Sequence, residues 1–225
     1  MDIIQIGIPD LYENLSLKTT GLFNWLYRSC AKVDFVLKVD DDVYVNVRNL
    51  AHFVQTFHQS NQSMFGLSSL HPDFWPQREG KWSISFEDWP WNSYPPSYEG
   101  PVVLFPNSVI FPMLAAMQTT PLMPFEDVYY TGLCREKAGI KIHLYTNSTI
   151  SRVGTTQMSS NPSPCEIRRF VAWVKHGFET EKRMKSSHVA TDDFYHNRTR
   201  CIIIDANGNN SKVINPSDPV QFGFL

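Results

Sequence analysis

No apolar run of about 18 residues occurs anywhere in the chain, so nothing in it reads as a membrane-spanning helix. The opening Met1-Asp2-Ile3-Ile4-Gln5 lacks the basic and apolar regions of a signal peptide. Basic stripes are missing too: the lysines and arginines are scattered, the formal net charge is -2, and nucleic acid is not expected as a partner. Cysteine is scarce, with Cys30, Cys134, Cys165 and Cys201 widely spaced and no CxxC or Cys/His pattern of the kind that holds zinc. Two disulfides or four buried thiols both fit that spacing. Repeats and low-complexity tracts are absent. What is there, 225 residues of which 42% are hydrophobic, is enough to bury a substantial core in one domain with room for an appendage.

The most informative stretch is Val36-Leu37-Lys38-Val39-Asp40-Asp41-Asp42-Val43-Tyr44-Val45-Asn46. Residues 33–39 are mostly apolar and rich in β-branched side chains, which predicts a strand buried on both faces of a parallel or mixed sheet. Three carboxylates follow at its exit, where ligands bind in open α/β sheets. Adjacent carboxylates repel one another, and a hard divalent cation such as magnesium or manganese removes that conflict. Aspartates in this position also make turns or cap the next helix, so the triplet alone fits either reading.

Along the chain, residues 3–8 predict a short strand closed by Gly7 and Pro9, and Asp10 with Glu13 resembles a capping box. Leu15, Thr19, Leu22, Phe23 and Leu26 fall at helical spacing, as do Val47, Leu50, Ala51, Val54 and Phe57 after the acidic stretch. A strand is expected at 63–69. From Leu70 to Pro101 aromatic residues and prolines alternate without periodicity. The rings of Trp75, Trp82, Phe86, Trp89, Trp91, Tyr94 and Tyr98 fit two roles, stacking on the apolar face of a sugar or plugging a long loop onto the core. Residues 102–105 predict a strand and 109–117 an apolar strand or helix. Glu126 and Asp127 precede a predicted helix at 128–137, where carboxylates favour the helix dipole and where one of them can also serve as a general base.

These stretches together resemble family 31 of the glycosyltransferases, the β-1,3-galactosyltransferase and β-1,3-N-acetylglucosaminyltransferase group. The matches run in the family's order: Asp2-Ile3-Ile4-Gln5 with Tyr12-Glu13-Asn14-Leu15-Ser16-Leu17-Lys18-Thr19, then residues 36–46, then Tyr94-Pro95-Pro96 through Gly100, then Glu126-Asp127-Val128-Tyr129 through Gly132. They cover about residues 2 to 145. The resemblance implies an α/β fold of the GT-A-like nucleotide-diphospho-sugar transferase type, a mixed sheet flanked by helices, incomplete at its N-terminus. It implies a UDP-sugar donor, a glycan on protein or lipid as acceptor, and an inverting, metal-dependent hexosyl transfer in the Golgi lumen. Asp40 and Asp42 match the motif that holds manganese against the donor diphosphate, with Asp42 the preferred direct ligand and Asp41 beside it. Asp127 matches the proposed base. Lys38 is expected near phosphate, and Trp91, Tyr94, Gly100 and Glu126 near substrate. His143 is a candidate to complete a metal shell, although a lone histidine is more often structural.

The sequence also departs from the family's pattern. The second tyrosine of the 94–100 segment stands one place late, at Tyr98, and Thr131 is inserted between Tyr130 and Gly132. Members usually carry a membrane anchor, a stem and upstream strands, none of which precedes Met1. The expectation is therefore a fragment of a longer enzyme, a shortened inactive relative that binds a glycan or an enzyme, or a partial gene model. A magnesium-dependent phosphohydrolase, the third class considered, lacks a second phosphate-binding loop. Domains are expected at 1–150, the transferase-like part, and at 151–225, an extension. In the latter Pro162 to Pro164 reads as a linker, and Ile167, Phe170, Val171, Val174 and Phe178 as one amphipathic helix. A solvated basic loop is expected at 182–188, a strand at 201–204 and a turn at Asn207-Gly208. N-x-[ST] sequons at Asn14, Asn61, Asn147, Asn197 and Asn209 would matter only in a secretory lumen.

Overall fold

The computed structural model describes residues 3–30, 32–57, 62–68, 75–142, 150–152, 165, 168, 170–174, 181–204 and 211–218. They gather into two units, Met1–Lys38 with Gln59–Leu144, and Val39–His58 with Tyr145–Leu225. His143, the linker at 162–164, the Asn207-Gly208 turn and the sequons at Asn61, Asn147 and Asn209 lie outside the described residues.

In the first unit, helix α1 (Leu15–Ser29) buries Ser16, Thr19, Phe23 and Leu26, the 3-4-3 spacing of one helical face. Phe23 is fully buried and stacks on Phe105 at 5.0 Å. Burying such a ring contributes about 1.5–3 kcal/mol. Helix α3 (Ile110–Met117) packs against the same core through Ile110, Met113 and Leu114. The sheet is mixed, in the order β1 (Phe35–Val39), β4 (Tyr98–Pro106), β3 (Ser63–Ser68), β5 (Lys141–Ile142). Strand β3 is antiparallel to β4 and parallel to β5.

Three expectations are corrected in this unit. Strand β1 is an edge strand, half-buried over its first four residues and exposed at Val39, not buried on both faces, because a short apolar run does not by itself fix burial. Residues 3–8 form no strand; Ile3 is largely exposed, and the chain turns so that the Ile8 N–H meets the Ile6 carbonyl at 2.8 Å. Asp10 makes no capping box: it pairs with Lys18, and a 3-10 turn at Tyr12–Asn14 leads into α1 instead.

Strands β3 and β4 meet closely at Gly66. An added Cβ there would stand 2.7 Å from the Tyr98 ring and 3.0 Å from the Val102 carbonyl oxygen. The Tyr98 hydroxyl donates to the Met64 carbonyl at 2.6 Å, so its ring has no room to retreat. Gly66→Ala is therefore expected to cost about 1–3 kcal/mol through overpacking. A lowered urea midpoint checks it, and an unchanged midpoint would show that the strands part freely.

In the second unit, β2 (Val43–Val45) runs antiparallel to β7 (Ala172–Val174), which runs parallel to β6 (Ile150–Arg152). Strand β7 replaces part of the helix expected across 167–178; Phe170 to Val174 is a buried run of apolar residues, and its period reads as helix or strand equally well. Helix α2 (Val47–Phe57) is capped by Asn46, whose Oδ1 accepts the Asn49 N–H at 3.3 Å. The predicted basic loop at 182–188 belongs instead to helix α5 (Glu181–Tyr195), which buries Thr191 and Phe194. Strands β8 (Cys201–Ile204) and β9 (Ser211–Ile214) form an antiparallel pair. One disulfide, Cys165–Cys201, is present, while Cys30 and Cys134 are free thiols.

Candidate active site

Glu126 and Asp127 stand at the start of a helix, as expected, but its seven residues Val128–Cys134 are a π-helix that continues into the short α4 (Arg135–Lys137). A π-turn accommodates one residue more than an α-turn and is frequent at functional sites. Thr131, the residue inserted relative to the family pattern, lies at its centre and is fully buried. Its hydroxyl accepts the Tyr98 N–H at 2.8 Å and stands 2.6 Å from the Asp127 carbonyl oxygen and 3.1 Å from that of Tyr98. The side chain thus ties the 94–100 segment to the backbone of Asp127. Gly132 completes the contact: a Cβ there would meet Pro95 at 3.1 Å and Ser97 at 3.4 Å.

Glu126 and Asp127 differ in chemistry although they are neighbours. Glu126 is compensated, with Lys38 Nζ at 3.3 Å and the Thr19 hydroxyl donating to the same oxygen. Lys38 also donates to the Gly100 carbonyl at 3.2 Å and lies 5.9 Å from the centre of the Tyr130 ring. Lys38, expected at phosphate, here locks Glu126 to the start of the long strand. Asp127 accepts the Val128 N–H at 2.8 Å on Oδ1. Burial raises its pKa above the ordinary 3.8, the Glu126 charge raises it further, and the Val128 hydrogen bond and Lys38 oppose the rise. Gly100 runs alongside, 3.6 Å from its own hypothetical Cβ to the Asp127 Cβ.

Tyr94 supplies a donor. Its ring packs between Trp89 at 5.3 Å and Phe125 at 6.3 Å. The hydroxyl is buried and has no hydrogen-bond partner among the described residues, a state that marks a position for a ligand atom or water. Burial pushes its pKa up to about 12, with Arg78 opposing and Asp127 adding to the rise, so the proton stays on the phenol.

Arg78 organises the aromatic segment, and the sequence reading passed over it. Its guanidinium donates to the carbonyls of Ile84 and Ser85 at 3.0 Å, Trp89 at 2.9 Å and Trp91 at 3.0 Å, and stacks 3.7 Å over Phe86. Of the two roles anticipated for the rings, the structure displays the plugging one. Trp89 and Tyr98 are buried plugs, whereas Trp75, Trp82, Phe86 and Trp91 are exposed, Trp91 with its edge on Trp89 at 4.8 Å.

In the second unit, Asp40 to Asp42 form a turn closed by the Val43 N–H on the Asp40 carbonyl at 3.3 Å. Asp40 and Asp41 are exposed and Asp42 is half-buried. Among the described residues no group of three or more His, Cys, Asp or Glu side chains converges as a metal cage. The donor set still fits magnesium or manganese, since those ions take hard oxygen ligands and are commonly held by one or two carboxylates, with water and phosphate oxygens completing the shell. No helix among the described residues is long and apolar enough to cross a membrane.

The sequence model of the family described as Galactosyltransferase matches residues 1–146. The chain is 31% identical over 172 residues to human β-1,3-galactosyltransferase 5, covering 76% of the chain and 54% of that protein. It is 27% identical over 186 residues to lactosylceramide 1,3-N-acetyl-β-D-glucosaminyltransferase A of Danio rerio, covering 81% and 46%. To human UDP-GalNAc:β-1,3-N-acetylgalactosaminyltransferase 1 it is 26% identical over 181 residues, covering 80% and 53%. The chain spans about half the length of these curated relatives.

Proposed function

The chain belongs to the galactosyltransferase family, and from that membership we propose that it transfers a hexose or N-acetylhexosamine from a UDP-sugar to a hydroxyl of a glycan on protein or lipid. The reaction forms a β-1,3 linkage with inversion, on a GT-A framework, in the Golgi lumen as part of a membrane-anchored protein. The observation that carries this reading is Asp127, a buried carboxylate at the start of the π-helix with its pKa raised by burial, together with the buried Tyr94 hydroxyl, which has no hydrogen-bond partner among the described residues. Asp127 takes the proton from the acceptor hydroxyl as its oxygen bonds to the anomeric carbon, and the bond from that carbon to the diphosphate oxygen breaks to release UDP. The Tyr94 hydroxyl donates to a neighbouring acceptor oxygen and fixes which hydroxyl is presented. Exposed Trp91 offers a face for the sugar ring. A divalent cation held by Asp40 and Asp42, with Asp41 beside them, would supply positive charge to the departing diphosphate.

The relatives' names cover galactosyl, N-acetylglucosaminyl and N-acetylgalactosaminyl transfer, which sets the donor panel: UDP-galactose, UDP-N-acetylglucosamine and UDP-N-acetylgalactosamine, each with manganese and a panel of glycan acceptors. Acceptor-dependent UDP release from one donor is expected, and none from any of the three sinks the activity. UDP with manganese should stabilise the parent, as a ligand that binds only the folded state does, by about 2.7 kcal/mol at a hundredfold excess over Kd, which is read as a raised thermal midpoint. Asp42→Ala should lose that shift. A full shift in the variant would remove the metal assignment, and a shift without transfer in the parent would indicate the silent, binding relative.

A further inference from the structure

We propose that Asn197 carries an N-linked glycan. The inference is independent of the transferase reading. It starts at the C-terminus of α5, where Asn197 sits in the left-handed region at φ 57°. Its N–H meets the Phe194 carbonyl at 3.0 Å and the next N–H, of Arg198, meets the Asp193 carbonyl at 2.8 Å. That pair of bonds is the Schellman termination, in which the left-handed position is usually glycine and sometimes asparagine. The Arg198 guanidinium adds ion pairs at 2.9 Å to both Asp192 and Asp193. Backbone and arginine together hold the turn still.

The side chain of Asn197 has no share in this. Asn197, Arg198 and Thr199 are all exposed, and no hydrogen bond described uses the Asn197 amide. They form the sequon Asn197-Arg198-Thr199. The other sequon within the described residues is the opposite case. There the Asn14 amide donates to the Pro9 carbonyl at 3.1 Å, and the Ser16 hydroxyl, 1% exposed, donates to the Met123 carbonyl at 2.6 Å. One sequon is built into the core, and the other is presented on a rigid turn with its amide in solvent.

A second observation places the same segment in the compartment where this chemistry occurs. Cys201, two residues beyond the sequon, is bonded to Cys165. Structural disulfides persist in oxidising compartments, the secretory lumen among them, and N-x-[ST] is an acceptor there. In the modification, the Asn197 amide nitrogen loses a proton and bonds to the anomeric carbon of an oligosaccharide carried on a lipid diphosphate. The bond from that carbon to the diphosphate breaks, and the lipid diphosphate leaves. The turn needs no rearrangement to hold the product, because its hydrogen bonds come from the main chain.

The test uses the protein isolated from its own cells. Amide-cleaving glycosidase converts a glycosylated asparagine to aspartate, and peptide mass spectrometry reads that conversion at residue 197 separately from the other sequons. Conversion at Asn197, in molecules whose Cys165–Cys201 bond is formed, is the expected result. Two tagged variants expressed in the same cells should run faster on a gel than the parent: Thr199→Ala, which keeps Asn197 but removes the sequon, and Asn197→Gly, which suits the left-handed backbone and so keeps the fold. An unconverted Asn197 in disulfide-bonded molecules overturns the proposal. So does a native protein with both cysteines reduced, which never met the transferring enzyme.

Discussion

Replacing Asp127 with asparagine is expected to slow transfer by about 10²–10⁴-fold, the range over which a positioned general base contributes. The substitution is nearly isosteric, and the amide oxygen can still accept the Val128 N–H that Oδ1 accepts at 2.8 Å. What it removes is the capacity to take a proton. Manganese-dependent UDP binding should therefore survive, and the loss should fall on kcat, not on donor affinity. Wild-type transfer in Asp127→Asn would move the base elsewhere. Glu126 is the poorer alternative, since Lys38 and Thr19 already hold it.

The pH dependence gives the same claim a second handle. A base works deprotonated, so transfer should rise with pH through the Asp127 pKa, and burial sets that limb above the ordinary carboxylate value of 3.8. In Asp127→Asn the limb should vanish from whatever rate remains. Stability moves in the opposite direction. Because the folded pKa is raised, the native state binds more protons than the unfolded chain between the two values, and stability falls as pH rises through that interval. The difference between the two chains should shift toward the variant as pH rises, and a difference independent of pH would contradict the burial that raises the pKa.

The candidate carboxylates stand out in the sequence because they are adjacent to one another: Asp40 to Asp42 after a strand, and Glu126 with Asp127 before a helix. Helices α1 and α2 were legible because one apolar face repeats at helical spacing. What the sequence hid has a physical reason in each case. Helix α5 is rich in charge and buries few side chains, Thr191 and Phe194 among them, so it shows no broad apolar stripe. Strand β7 was hidden because a short buried run of apolar residues fits either period. The partners of Lys38 were hidden because they are long-range, one a carboxylate and the other a main-chain carbonyl. Thr131 was visible as an extra residue, but only the π-helix shows how the backbone absorbs it and why the hydroxyl faces both Asp127 and Tyr98.

Arg78 was the least legible residue of the site, because its four carbonyl partners belong to the main chain and carry no side-chain signature. Arg78→Met should therefore have a larger effect than a loop position suggests, on the order of 3 kcal/mol, since two of the four carbonyls are part-buried and bonds to a charged donor are the stronger kind. Arg78→Lys should recover little of this: an ammonium is a point donor without the planar fork that reaches several carbonyls at once. The loosening should be local, read as faster amide exchange across residues 78–94. Its functional reading is a raised KM for the acceptor with donor binding unchanged, because Tyr94 and Trp91 follow the backbone that Arg78 holds. If exchange and acceptor KM both stay as in the parent, the segment is held by its aromatic contacts alone, with Trp89 in the core as its anchor.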